Sequence, residues 1–169
     1  MSTADTPSPT PWRTPMIVLA AGGLVALLCF GLRASFGLFL KPMSLDLGWG
    51  REVFALAMAT QNLVWGVAQP FASAIAEKWG AGRVIAGGGI LYGLGIYFMA
   101  HSADPYTLKL TGGVLIGMAQ SGTGLGVVLG AVARALPTEK RTWGLGIVTA
   151  AGAAGQFTVV PIAQGMMDF

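Results

Sequence analysis

The sequence predicts an all-α integral membrane protein, a bundle of five transmembrane helices, and three observations carry that expectation. Hydrophobic residues make up 54% of the 169 positions, only 10% are charged, and the mean hydropathy is +0.67. That is too apolar for a soluble domain of this length. The apolar residues fall into long runs separated by short polar turns. Nine of the ten Lys and Arg sit near the ends of those runs, all but Arg33, so the net charge of +3 marks topology and argues against a nucleic-acid partner.

Taken in order, residues 1–15 are polar and carry Pro7, Pro9, Pro11 and Pro15, too little apolar surface to bury, and are expected to form a disordered cytoplasmic tail. Spans follow at about residues 16–40, 54–76, 84–100, 108–131 and 142–167, each near the ~20 residues that cross a bilayer. The first is too long, and followed by too many others, for a cleaved signal peptide. The third is the shortest, near the lower limit for spanning. Every loop is short, so consecutive helices are antiparallel neighbours. A cytoplasmic N-terminus then gives the inner side Arg13, Lys78, Arg83, Arg134, Lys140 and Arg141, and the outer side only Lys41, Arg51 and Lys109, as the positive-inside rule requires. Trp12, Trp79 and Trp143 fall at the inner interface and Trp49 at the outer.

A single cysteine, Cys29, and a single histidine, His101, exclude a disulfide framework and argue against a metal site or a thiol–histidine pair. No cofactor is expected, and no paired acid or nucleophile–base arrangement at membrane depth suggests an enzyme. Polar residues are costly in hydrocarbon and face protein or a water-filled path where they cluster. Gln61, Trp65 and Gln69 share one face of the second span, beside Asn62; the fourth carries Gln120, Ser121 and Thr123, and the fifth Thr149, Gln156 and Gln164. The third has no Ser, Thr, Asn, Gln or charge between Val84 and Ala100 and reads as a lipid-facing support. A polar cavity bordered by spans one, two, four and five is therefore expected, with Arg33, Gln61, Trp65, Gln69, Gln120, Thr123, Thr149 and Gln156 as substrate-pathway candidates. Inter-helix hydrogen bonding is the competing role for each.

Arg33 is the sharpest of these. It lies eight residues, about 12 Å, before Lys41 at the outer end, too far for its head to reach the interface easily. Its planar fork suits a carboxylate. Pairing with another helix is the structural alternative. Small residues recur as Gly113 and Gly117, as Gly122, Gly126 and Gly130, and as Gly152 and Gly155, the spacing of close helix packing. The Gly122-Thr-Gly-Leu-Gly126 run is not a nucleotide-binding loop, since no strand precedes it and it lies in an apolar helix. Pro70 and Pro161 lie inside spans two and five, where each removes a helical hydrogen bond.

Between spans two and three the chain reads Ser73, Glu77, Lys78, Gly80, Arg83. This turn resembles the Gly-x-x-x-Asp-Arg/Lys-x-Gly-x-x-Arg/Lys signature of the major facilitator superfamily, with Ser73 for the leading glycine and Glu77 for the aspartate. Two further stretches resemble its monocarboxylate transporter and oxalate:formate antiporter-like branch: Gly31-Leu-Arg-Ala-Ser-Phe-Gly-Leu-Phe-Leu-Lys41, and Glu139 to Gly155 with a basic pair followed by Gly-Leu-Gly and Ala-Gly. Gly155 falls one position early, and Trp143 stands where a leucine is usual.

The resemblance implies a secondary transporter working by alternating access on small carboxylates, by proton symport or anion exchange. Ser73, Glu77, Lys78, Gly80 and Arg83 would form its cytoplasmic gate loop. It implies a bacterial inner membrane, and it makes residues 16–169 an incomplete N-terminal half whose partners are an anionic small molecule, the bilayer and a missing C-terminal half. A drug or sugar carrier of the same superfamily, and a five-helix accessory membrane protein, are the alternatives.

Overall fold

A computed structural model describes residues 15–167 apart from Leu47 and Trp49. The expected tail with Arg13 and Trp12, the outer Trp49, and the side chains of Lys41 and Arg51 lie outside that description. Five long helical rods run through the described residues: Pro15–Asp46, Arg51–Trp79, Ala81–Ala100, a fourth over residues 105–135, and Arg141–Met167. Each expected span is present, with helix continuing past several of the expected ends. Four rods contain stretches long and apolar enough to cross a membrane: Pro15–Leu38, Ala81–Ala100, Pro105–Ala135 and Thr138–Met166. The second, at 29 residues, is long enough, but Gln61, Asn62 and Gln69 in its middle keep its hydropathy below the other four.

The turns explain where the rods stop. Gly80 alone separates the second and third helices, and its φ of +97° is a conformation that a side chain resists. Its N–H closes the second helix on the Ala76 carbonyl at 3.0 Å. Asp104 opens the fourth rod: its carboxylate accepts from the N–H of Tyr106 at 2.9 Å and of Thr107 at 3.0 Å, and Pro105 follows at the first helical position. These bonds to the ionised form, the one to the Thr107 hydroxyl foremost, hold the Asp104 pKa below its ordinary value. Pro70 and Pro161 are both accommodated inside unbroken helices.

One expectation needs correction. The fourth span is not one continuous α-helix. A turn at Pro105–Leu108 runs into a π-helical stretch, Lys109–Leu115, then an α-helix, Ile116–Thr123. Gly124 then adopts an extended backbone, φ −68° and ψ 164°, before helix resumes at Leu125–Ala135. Three neighbouring glycines make the break cheap, because glycine adds the least helix propensity and no Cβ.

The break separates two regions of core. The leading segment packs with the second and third helices and the far end of the first, burying Phe36, Phe54, Ala57, Tyr92, Met99, Leu108, Ile116 and Ala119 together. The trailing segment packs with the first and fifth helices through Leu19, Ala26, Val128, Val132, Leu136 and Val148. Glycines set the spacing. A Cβ on Gly113 would meet Thr60, and one on Gly117 the Gln61 carbonyl oxygen at 2.8 Å. On Gly122 it would come 3.1 Å from the Val84 carbonyl oxygen, and on Gly126 2.5 Å from Gln69 Nε2. Gly152 faces Ala26 and Phe30, and Gly155 abuts the Leu27 backbone carbonyl so closely that no side chain fits. Gly130 differs: its nearest neighbour is Arg134 of its own helix, at 3.4 Å, so it makes no close inter-helix approach.

The third helix is not merely a lipid-facing support. It turns Gly88, Tyr92, Gly95 and Met99 inward, and Tyr92, only 5% exposed, places a phenol among the polar residues of its neighbours.

Candidate functional site

A cleft lies where the first, second and fourth rods meet, lined by Cys29, Phe30, Arg33, Trp65, Gln120, Thr123 and Gly124. Its volume of about 20 Å³ is room for roughly one water.

The first helix carries Arg33 to this cleft on the same face as Cys29 and Phe30, one turn apart. Two residues of the second helix then hold its guanidinium. Asn62 accepts a hydrogen bond from Arg33 Nη2 at 2.6 Å, and its own amide nitrogen donates to the Met58 carbonyl at 2.9 Å, which fixes which end of the amide faces the arginine. The Trp65 ring lies under the guanidinium, 4.8 Å from centroid to Cζ, a cation–π arrangement. Trp65 is itself fixed by donating from Nε1 to Gln69 Oε1 at 2.8 Å. Asn62 and Trp65 are three apart in sequence, so one helical face presents both.

No carboxylate meets Arg33 among the described residues. Glu52, Glu77, Asp104 and Glu139 all sit at helix ends or in turns. A guanidinium at this depth is thus oriented by an amide and a ring, with its remaining donors free of protein acceptors among the described residues. Such a group can take both oxygens of a small carboxylate.

Polar atoms behind the arginine are also left over. Gln120, 5% exposed, has no partner for Oε1; Gln61, 3% exposed, none for Nε2; Gln69 none for Nε2; and Tyr92 none for its hydroxyl. Tyr92 lies within interaction range of Gln120, Cys29 and Arg33, and the Cys29 thiol lies beside the Thr123 hydroxyl. Buried groups of this kind are normally satisfied, at a cost of about 1–3 kcal/mol each when they are not. Gln61 and Gln120 are the sharpest, because both are almost fully enclosed.

The sequence-derived candidates therefore divide. Arg33, Trp65, Gln120 and Thr123 line the cleft, Gln69 stands behind Trp65, and Gln61 is buried where the second helix meets Gly117. Thr149 and Gln156 on the fifth helix are exposed and away from it, and Thr149 spends its hydroxyl on the Leu145 carbonyl. The cleft is bordered by three rods, not the expected four. Asn62, Cys29, Phe30, Gly124 and Tyr92 were not among the candidates. Asn62 stood beside the polar face, whereas the others are apolar, small or aromatic and carry no polar signal at helical spacing.

In the turn between the second and third helices, Glu77, Lys78, Gly80 and Arg83 are exposed and Ser73 is half-buried. No hydrogen bond or ion pair engages the three charged side chains among the described residues.

Comparison with known proteins comes to the same kind of molecule. The family model described as Major Facilitator Superfamily matches residues 22–169. Monocarboxylate transporter 11 of Mus musculus is 32% identical over 161 residues, 90% of this chain and 34% of that protein. Its Homo sapiens counterpart is 29% identical over 159 residues, 90% of the chain and 32% of that protein. An uncharacterized MFS-type transporter, YhjX, of Escherichia coli strain K12 is 29% identical over 128 residues, 76% of the chain and 31% of that protein. The chain thus spans about a third of the length of these curated relatives.

Proposed function

The chain belongs to the major facilitator superfamily, a family of membrane transporters, and from that premise we propose that it is the leading part of a secondary carrier for small carboxylates. The observation that carries the substrate class is Arg33. A guanidinium at membrane depth is expensive unless something anionic or aqueous meets it, and here an amide and an aromatic ring aim it into a cleft without neutralising it. Two of the relatives bear the name monocarboxylate transporter, which points the same way.

In this reading Arg33 binds the carboxylate, and Asn62 and Trp65 hold the guanidinium in place. Gln120 and Thr123 border the bound molecule. Thr149 and Gln156 face the remainder of the carrier, and Glu77, Lys78 and Arg83 engage it at the cytoplasmic side as a gate that forms and breaks during alternating access. Lys78, Arg83, Arg134, Lys140 and Arg141 gather at one end of the bundle, which this reading places in the cytoplasm of a bacterial inner membrane. Either symport with a proton or anion exchange is compatible with this cleft.

The test is uptake of radiolabelled acetate and propionate by the complete protein in proteoliposomes. Uptake should fall at least tenfold in Arg33→Ala and stay partly active in Arg33→Lys, which keeps the charge but not the fork. Uptake of carboxylates that is indifferent to both changes would overturn the assignment of Arg33. Arg33-independent uptake of neutral sugars or apolar cations in place of carboxylates would move the chain to another substrate class of the same superfamily.

A further inference from the structure

Gln120 carries the strongest hydrogen-bond acceptor among the side chains that line the cleft. Of the others, Cys29 brings a weakly accepting thiol, Trp65 an indole that only donates, and Phe30 no polar atom. The Thr123 hydroxyl donates to the Ala119 carbonyl at 3.1 Å and lies beside the Cys29 thiol. Gln120 Oε1 has no partner among the described residues, although the side chain is only 5% exposed. An amide oxygen enclosed this far normally accepts a hydrogen bond. The helix that presents it is firmly seated, since Ile116 and Ala119 on its core face are fully buried.

Arg33 is mismatched in the opposite sense. Its fork holds several donors, of which one bonds Asn62, while Trp65 covers one face of the plane. A half-buried guanidinium short of acceptors and a buried amide oxygen short of a donor therefore border one cleft of about 20 Å³. The Tyr92 phenol lies within interaction range of both, so the two side chains are neighbours. A substrate carboxylate answers only half of this mismatch. Both of its oxygens accept, so it satisfies the guanidinium and does nothing for Gln120 Oε1. The guanidinium itself is the donor that Oε1 lacks. The last torsion of a glutamine is broad, so the amide oxygen turns toward the arginine at little cost.

We propose that Gln120 competes with the substrate for Arg33. In the empty cleft the Gln120 amide oxygen accepts from the guanidinium, and an arriving carboxylate takes those donors and displaces it. This rests on the carboxylate reading above and deepens it, adding a positioning residue that acts through Arg33 and sets how readily the anion leaves. Gln120 stabilises only the empty site, so binding breaks one charge-assisted bond and release restores it. The consequence has a sign that no packing role shares: without the Gln120 amide, the cleft holds its carboxylate more tightly.

The experiment is uptake of radiolabelled propionate, over a range of concentrations, by the complete protein in proteoliposomes. Gln120→Met keeps the length of the side chain and replaces the amide by a thioether, which accepts only weakly. The half-saturating propionate concentration should fall at least fivefold in Gln120→Met, and the maximal rate should fall with it as release slows. A side chain that merely supported the fold would lower the maximal rate while leaving half-saturation unchanged or raising it. That outcome, with uptake still dependent on Arg33, overturns the competition and leaves the Arg33 reading standing. Should Gln120→Met not elute as a monodisperse species, Gln120→Leu is judged by the same criterion. If neither elutes so, the competition is overturned as well, because the fold and not the cleft then requires the amide. Propionate uptake by the unmodified protein that is indifferent to Arg33→Ala overturns both readings.

Discussion

The fourth rod has two helix starts, and the chain treats them oppositely. At the rim, Asp104 puts its own carboxylate on the amides of Tyr106 and Thr107. At the break, Gly124 offers no side chain to the amides of Leu125 and Gly126. The rim start, bathed in water, would have tolerated being left open. The interior start is the costlier one to leave unsatisfied, yet it is the one left open, beside an arginine with no acidic partner among the described residues.

Replacing one glycine elsewhere gives the largest effect and shows that the break is a special place for glycine. Gly155 lies against the Leu27 backbone carbonyl in the seam between the first and fifth helices, and its counterpart Gly31 lies against Val159 and the Gly155 carbonyl oxygen. Gly155→Val should abolish monodisperse protein in size-exclusion chromatography, because the obstacle is backbone and cannot rotate away. The cost should exceed the roughly 1–3 kcal/mol of ordinary overpacking. Val159→Ala should partly rescue Gly31→Ala and should not rescue Gly155→Val, a non-additivity expected only for residues in contact.

Gly124→Asp comes next. It gives the interior start the same kind of cap as Asp104, in a backbone conformation that an N-cap residue already uses. The φ of −68° suits any residue, but the new Cβ would stand 2.6 Å from the Gln120 carbonyl oxygen, so backbone as well as the Gln69 and Trp65 side chains must give way, and size-exclusion chromatography reads whether the variant folds. Propionate uptake by the folded variant should fall about a hundredfold, because an acid placed in the Arg33 cleft neutralises the guanidinium. Gly124→Asn, capping without charge, should lose less. A folded Gly124→Asp protein that takes up propionate normally would separate the break from the Arg33 cleft.

Much of this was legible in the sequence, for reasons that also mark the limits. Long apolar runs and charged turns give rods and their order, because burial in lipid acts on every residue of a span alike. Arg33 stood out because its cost is independent of its neighbours. The break did not stand out, since Gly122, Gly124 and Gly126 read equally as packing glycines, and Gly122 and Gly126 do serve that role. Only the backbone at Gly124 separates the two uses. Tyr92 was passed over because its ring matches its apolar helix, while its single hydroxyl is buried without a hydrogen-bond partner. Thr149 and Gln156 share a face by their spacing and are exposed away from the cleft, since periodicity reports which residues share a face and not what that face meets.

Two smaller tests bear on each start separately. Asn62→Ala removes the 2.6 Å bond that orients Arg33 and leaves the Trp65 ring beneath it. Propionate uptake at low concentration should fall about tenfold, worth about 1.4 kcal/mol, less than in Arg33→Ala because the charge stays in the cleft.

The Asp104 cap should give the smallest change, and its sign follows from the lowered pKa. A carboxyl whose folded pKa lies below its unfolded one adds stability that is fully present above the unfolded value and lost as pH falls through the folded value. Asp104→Asn keeps a capping oxygen but not the charge. At neutral pH the unmodified protein should therefore melt slightly higher than Asp104→Asn, and the gap should close as the solution is acidified below the ordinary carboxylate range. High salt should narrow the gap as well, since the site is exposed and screened.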